Sequence, residues 1–203
     1  MFIERLLVAT TNPGKLREIG HLLGDLPVAL IGLGDLPPVD PPEETGATFE
    51  ENARLKAKYY AAAFDRVTVA EDSGLVIDAL DGQPGILSAR FVRPDASYPA
   101  RFAEIYRRLA QRPERARTAR FVCALAVATA GGILFETTGT VEGEIVEPPR
   151  GNAGFGYDPI FHYPPYGRTL AEVDRDAKLL VAHRGMAFRK LAHWLQRNES
   201  GNA

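Results

Sequence analysis

The segment Thr10-Thr11-Asn12-Pro13-Gly14-Lys15 leaves an apolar run and enters a helical pattern. A polar loop at such a junction suits an anion: free amides and the positive end of the helix dipole face one point, and Lys15 adds a full charge. The first glycine of a P-loop is missing and Leu16 stands where that motif has Ser or Thr. A tight turn with a solvated lysine accounts for these residues equally well. Glu71-Asp72-Ser73-Gly74 sets two acids and a hydroxyl between apolar segments. A carboxylate there can hold a divalent cation or take a proton from an attacking water, although an exposed acidic turn is the plainer account of it alone. Glu43-Glu44 supplies carboxylates from a second segment, which Mg²⁺ needs when phosphates provide the remaining oxygens, but most charge runs are only solvated surface. In the loop Gly151 to Asp158, the glycines let backbone approach a ligand. Phe155 and Tyr157 can stack on a nucleobase, and Asp158 can accept from a base or ribose. Its spacing is GxxGxG, so it is not a dinucleotide fingerprint. Lys178, His183 and Arg184 are donors for phosphate or a base edge, with surface charge as the alternative.

These residues need elements to hold them. Arg5 to Thr10 reads as a strand and Leu16, Ile19, Leu22 and Leu23 as one face of the helix after it. Asp35 to Glu51 holds four prolines and six acids without Lys or Arg, so it is a surface connection. Thr48 and Glu51 form a capping box that opens a helix to about Phe64, on which Asn52 and Lys56 share a face. Short strands at Val67 to Ala70 and Gly74 to Leu80 are expected on either side of Glu71-Asp72-Ser73. A helix is expected over Tyr98 to Arg112, a β pair over Ala119 to Thr129 and Ile133 to Val146, and a last helix from Gly185 to Gln196. The mixture predicts an α/β fold with a mixed sheet.

Composition limits the function classes. The net charge of −2 removes the bulk polycation of a non-specific nucleic-acid binder, and no apolar run is long enough to span a membrane. The first residues carry charges inside their apolar run and are not expected to form a signal peptide. The single cysteine, Cys123, excludes an internal disulfide and reads as a small core hydrophobe. Only five residues are Lys, and three of them, Lys15, Lys56 and Lys178, fall in the segments above, where a compact ammonium suits phosphate. The span Arg90 to Arg120 has nine Arg against three acids. It leaves a nucleic-acid-binding module as the rival from another class.

The order of the motifs resembles the inosine triphosphate pyrophosphatase family, also called XTP/dITP diphosphatases, from about Leu6 to Leu191. The motifs are Thr10 to Lys15; Glu44-Thr-Gly46 with Thr48 to Ala53; Glu71 to Leu75; Pro84-Gly85-Ile86 with Ser88-Ala89-Arg90; Gly154 to Pro159; and His183-Arg184. The resemblance implies one two-lobed α/β domain over residues 1–203, with an elongated mixed β-sheet flanked by helices and an active-site cleft between the lobes. It implies a homodimer that hydrolyses ITP, dITP and XTP to the monophosphate and pyrophosphate with Mg²⁺, while the charge, cysteine count and apolar runs above lead us to expect a cytoplasmic protein without nucleic-acid or membrane partners. Carried over by position, Thr10, Thr11, Asn12, Pro13, Gly14 and Lys15 grip the triphosphate and Lys56 reaches its phosphates. Asp72 is the catalytic residue and a metal ligand, Ser73 contacts substrate, and Glu44 or Glu43 completes the metal site. Phe155, Gly156, Tyr157, Asp158, Lys178, His183 and Arg184 enclose and read the base, with His183 or Arg184 donating to the 6-keto group. Two positions depart from the family: Glu71 stands where an Asp is usual, which could shift a metal-bound water, and Ala182 where Ser is usual. The nearest enzymatic alternative is a Maf-type nucleotide pyrophosphatase of different base preference.

Overall fold

β1 (Arg5–Val8) leads into α1 (Pro13–Leu23), and β2 (Ala29–Gly32) precedes the long acidic connection to α2 (Phe49–Phe64). After β3 (Thr68–Ile77) come α3 (Tyr98–Ala110), β4 (Thr118–Thr129) and β5 (Gly132–Ile145). The chain closes with β6 (Phe161–Tyr163), β7 (Arg168–Thr169), α4 (Arg175–Val181) and α5 (His183–Ser200). This computed structural model describes residues 3–200. The sheet order is β2-β1-β3-β4-β5-β6-β7. β1 runs parallel to β2 and β3, whereas β6 is antiparallel to β5 and β7, so the sheet is mixed as expected.

The chain forms two units. The first takes the chain up to Asp72, then Cys123–Gly139 and the stretch from His183 onward; the second takes Ser73–Val122 and Thr140–Ala182. In the first, Leu6, Val8, Val69, Leu125 and Val127 of the strands pack with Ile19 and Leu23 of α1 and Phe188 and Leu191 of α5. In the second, Leu75 and Ile77 of β3 join Phe102, Ile105 and Leu109 of α3 with Phe121, Ile145, Tyr157 and Phe161.

Three expectations change. The two strands placed around Glu71-Asp72-Ser73 are one ten-residue strand, β3, with both acids inside it and buried. Buried cations meet those acids, so the backbone has no need to turn out to solvent there. α5 starts at His183, two residues before the expected Gly185. Glu51 completes only half of the capping box: its amide donates to the Thr48 hydroxyl (3.1 Å), but its carboxylate accepts from the Ala47 amide (2.6 Å), one residue ahead of the cap.

Candidate active site

One turn of α2 brings Asn52 and Lys56 to the same carboxylate. Lys56 Nζ lies 2.8 Å from Asp72 Oδ1 and 2.7 Å from Glu44 Oε1. Asn52 Nδ2 donates to Asp72 Oδ2 (3.3 Å), while its Oδ1 accepts from the Gly46 amide (2.8 Å). Asn52 therefore ties the acidic connection to β3. Spacing showed only that it shares a face with Lys56; the bond to Asp72 across the fold is not visible in sequence. Glu44 is the acid brought to this group, and Glu43 is exposed. Burial pushes the Asp72 carboxyl above its usual range and Glu44 adds to the push, with Lys56 and Lys15 opposing. Lys56 is held above the ordinary lysine value: burial alone would lower it, but Asp72 and Glu44 outweigh that.

Two carboxylates around one ammonium are a hard-oxygen donor set that a small divalent cation can share with substrate phosphates. No group of three or more His, Cys, Asp or Glu placed to hold a metal occurs among the described residues, so a cation held here would need phosphate or water oxygens as well. On this count Glu44 and Asp72 fit a cation such as Mg²⁺.

Beside them lies a buried charge network. Arg184 donates through Nε (2.9 Å) and Nη2 (3.3 Å) to Glu71 and through Nη1 (2.7 Å) to Glu18. Lys15 Nζ stands 3.4 Å from Glu71, and the Cys123 thiol donates to Glu71 Oε2 at 2.9 Å. Burial would raise the Glu71 carboxyl, yet Arg184 and Lys15 hold it well below the usual carboxylate range. Burial, reinforced by Glu71, pushes the Cys123 thiol well up. Thus Glu71 is enclosed by Arg184, Lys15 and the Cys123 thiol, Cys123 lies in the core as expected while also donating to Glu71, and the Arg184 guanidinium is turned onto two acids at 2% exposure. His183, at the start of α5, is buried.

The Thr10 to Lys15 loop differs from the open anion cradle expected. Asn12 caps α1, its Oδ1 accepting from the amides of Gly14 (2.9 Å) and Lys15 (3.2 Å), and the Asn12 amide donates to Thr10 Oγ1 (3.2 Å). Those amides are already used, which leaves Lys15, the helix dipole and the hydroxyls as the groups here that would suit an anion. Thr11 and Pro13 are exposed and Lys15 half-buried.

In the second unit, Lys178 Nζ pairs with Asp158 Oδ2 at 2.7 Å, both side chains about 4% exposed, and lies 5.0 Å from the centre of the Phe155 ring. Asp158 Oδ2 also accepts from the Phe155 amide (2.9 Å), which fixes the turn. Gly154 and Gly156 have φ of +73° and +71°, and a Cβ on Gly154 would strike the Asp158 carboxylate. Phe155 is half-buried. Tyr157 is 4% exposed and its hydroxyl donates to the Ser88 carbonyl (2.8 Å), so it is packed inward rather than presented for stacking. Ser73 follows Asp72 on β3, and strand alternation directs it to the opposite face. The Arg90 to Arg120 stretch is largely neutralised from elsewhere in this unit: Arg120 pairs with Asp78, Arg112 and Arg115 with Asp81, and Arg117 with Glu147, while Arg107 and Arg108 hold Glu104.

Residues 6–194 match the Ham1 family. A dITP/XTP pyrophosphatase from Exiguobacterium sp. is 48% identical over 187 residues, 92% of this chain and 94% of the relative. One from Halalkalibacterium halodurans is 44% identical over 195 residues, 95% and 100% of the two chains. The solved structure of a HAM1 protein from Coxiella burnetii superposes with a TM-score of 0.87 at 37% identity, covering 97% of this chain and 100% of that one.

Proposed function

The chain belongs to the Ham1 family, and from that premise we propose that it hydrolyses the non-standard purine nucleotides ITP, dITP and XTP to the monophosphate and pyrophosphate. The observation that carries this is Lys56 held between Glu44 and Asp72, carboxylates from two separate segments around one phosphate-seeking ammonium. A cation bound there, which we take to be Mg²⁺, supplies charge compensation for the phosphates. Asp72 takes a proton from the attacking water. The water oxygen forms a bond to the α-phosphorus as the bond to the α–β bridging oxygen breaks, and the electron pair leaves with pyrophosphate. Lys15 and Lys56 face the charge that accumulates on the leaving group. The raised Asp72 carboxyl favours proton acceptance.

Phe155 is the ring for stacking the base, and Lys178 beside it is the donor for a 6-keto oxygen. Adenine carries an amino donor at that position, and a buried polar group left unmatched costs about 1–3 kcal/mol, about 5- to 150-fold in selectivity. Arg184 acts through Glu71 and Lys15 rather than on the base. The same reading makes the enzyme a cytoplasmic homodimer; no helix among the described residues is long and apolar enough to cross a membrane. Pyrophosphate release with Mg²⁺ from ITP, XTP, dITP, GTP, ATP and CTP, for the natural protein beside Asp72→Asn, tests it. We expect preference for the first three and a loss of at least ~100-fold in the variant. Equal hydrolysis of all six discards the base assignments, and no release from any discards the enzyme.

A further inference from the structure

Arg101, the fourth residue of α3, is 4% exposed, and no carboxylate pairs with it among the described residues. Its Nη1 donates to the Ser88 carbonyl and its Nη2 to the Pro94 carbonyl, each at 3.2 Å, and its Nε is buried without a partner. The guanidinium lies 5.0 Å from the centre of the Tyr98 ring. A buried cation that meets carbonyls, a ring face and the Tyr157 hydroxyl but no carboxylate among the described residues is an expensive way to fill space, since an apolar side chain of similar volume avoids the desolvation. The carbonyl it holds explains the arrangement.

Ser88 is the meeting point of three segments. Its hydroxyl accepts from the Leu75 amide (2.9 Å) and donates to the Gly85 carbonyl (2.6 Å); its carbonyl takes both Arg101 Nη1 and the Tyr157 hydroxyl. Tyr98, under the guanidinium, meets the Tyr157 ring edge-on with centroids 5.4 Å apart. Burial pushes the Tyr157 phenol well up, with the Arg101 charge opposing. The loop before Tyr157 contains Gly154 and Gly156 at positive φ, so its backbone has little stiffness of its own and depends on an anchor. We propose that Arg101 is a positioning residue for substrate recognition: by holding the Ser88 carbonyl it fixes Tyr157, and through Tyr157 the placement of Phe155 and Asp158 against the base.

This rests on the base-stacking role proposed for Phe155 above, whose turn Asp158 fixes. Arg101→Met and Tyr157→Phe test it, with kinetics and local hydrogen exchange read together. Arg101→Met is expected to keep its thermal midpoint, raise KM for ITP about tenfold with kcat within about twofold, and speed amide exchange across residues 151–158. Arg101→Lys, which can reach one carbonyl but not two, should fall between. Tyr157→Phe should reproduce the KM increase, and the double variant should add little to either single change. An unchanged KM and unchanged exchange over 151–158 in a folded Arg101→Met overturn the proposal, as does a rise in KM that is additive with Tyr157→Phe. If the natural protein hydrolyses none of the nucleotides, the functional reading fails, and exchange over 151–158 still decides whether Arg101 holds the loop.

Discussion

Glu71 shows what burial does to a single acid. Its carboxylate receives Arg184, Lys15 and the Cys123 thiol inside the first unit, so removing its charge leaves Arg184 facing Glu18 with half its acids gone. Breaking a buried pair by deleting one partner costs about 3–5 kcal/mol, and Glu71→Gln should lose that much in urea unfolding at neutral pH. The pH dependence follows from the depressed carboxyl. Its folded value lies below its unfolded one, so its contribution is full above about pH 4.3, the ordinary glutamate value, and falls away as the pH drops below it. The Gln variant should therefore show a flatter acid limb of stability than the natural chain. A variant with the same slope and the same midpoint denies Glu71 this role.

At the scale of elements, the site depends on the acidic connection being pinned to α2. A Cβ on Gly46 would come within 2.6 Å of Asn52 Oδ1 and 2.9 Å of the Asn52 amide nitrogen. Gly46→Ala must push Asn52 or the loop aside, and with the loop goes Glu44. We expect up to ~100-fold less pyrophosphate release, the cost of a displacement near 1 Å, with an unchanged far-UV circular dichroism spectrum. Full activity would show that the loop's attachment does not matter. Much of this was legible in the sequence. The apolar period placed α1, Thr48 marked the start of α2, and the four-residue spacing put Asn52 and Lys56 on one face. β3 was not, because Glu-Asp-Ser-Gly has the composition of a turn and its partners, Lys15, Lys56 and Arg184, are far away in sequence. Nor was the closed cap at Asn12, whose side chain takes the amides that the hexapeptide alone left open to an anion. β2, β6, β7 and α4 are too short for periodicity to reveal.

For the whole molecule, the residue ranges of the two units change between α4 and α5 at 182/183 but inside strands at the other three points: 72/73 in β3, 122/123 in β4 and 139/140 in β5. No cut at those three points leaves its strand intact, so we propose one inseparable domain. Calorimetry should show a single transition with equal calorimetric and van't Hoff enthalpies; two resolved transitions would contradict that. The many Arg–acid pairs of the second unit predict no appreciable binding to duplex DNA at moderate salt by fluorescence anisotropy. Salt-dependent tight binding would reopen the nucleic-acid role. The central claim is hydrolysis by water attack at the α-phosphorus, with Asp72 as the base. Turnover of ITP in H₂¹⁸O, followed by mass spectrometry of the products, tests it most directly. The account predicts one ¹⁸O atom in the monophosphate and none in pyrophosphate. Label in pyrophosphate, or release of inorganic phosphate in its place, would contradict it.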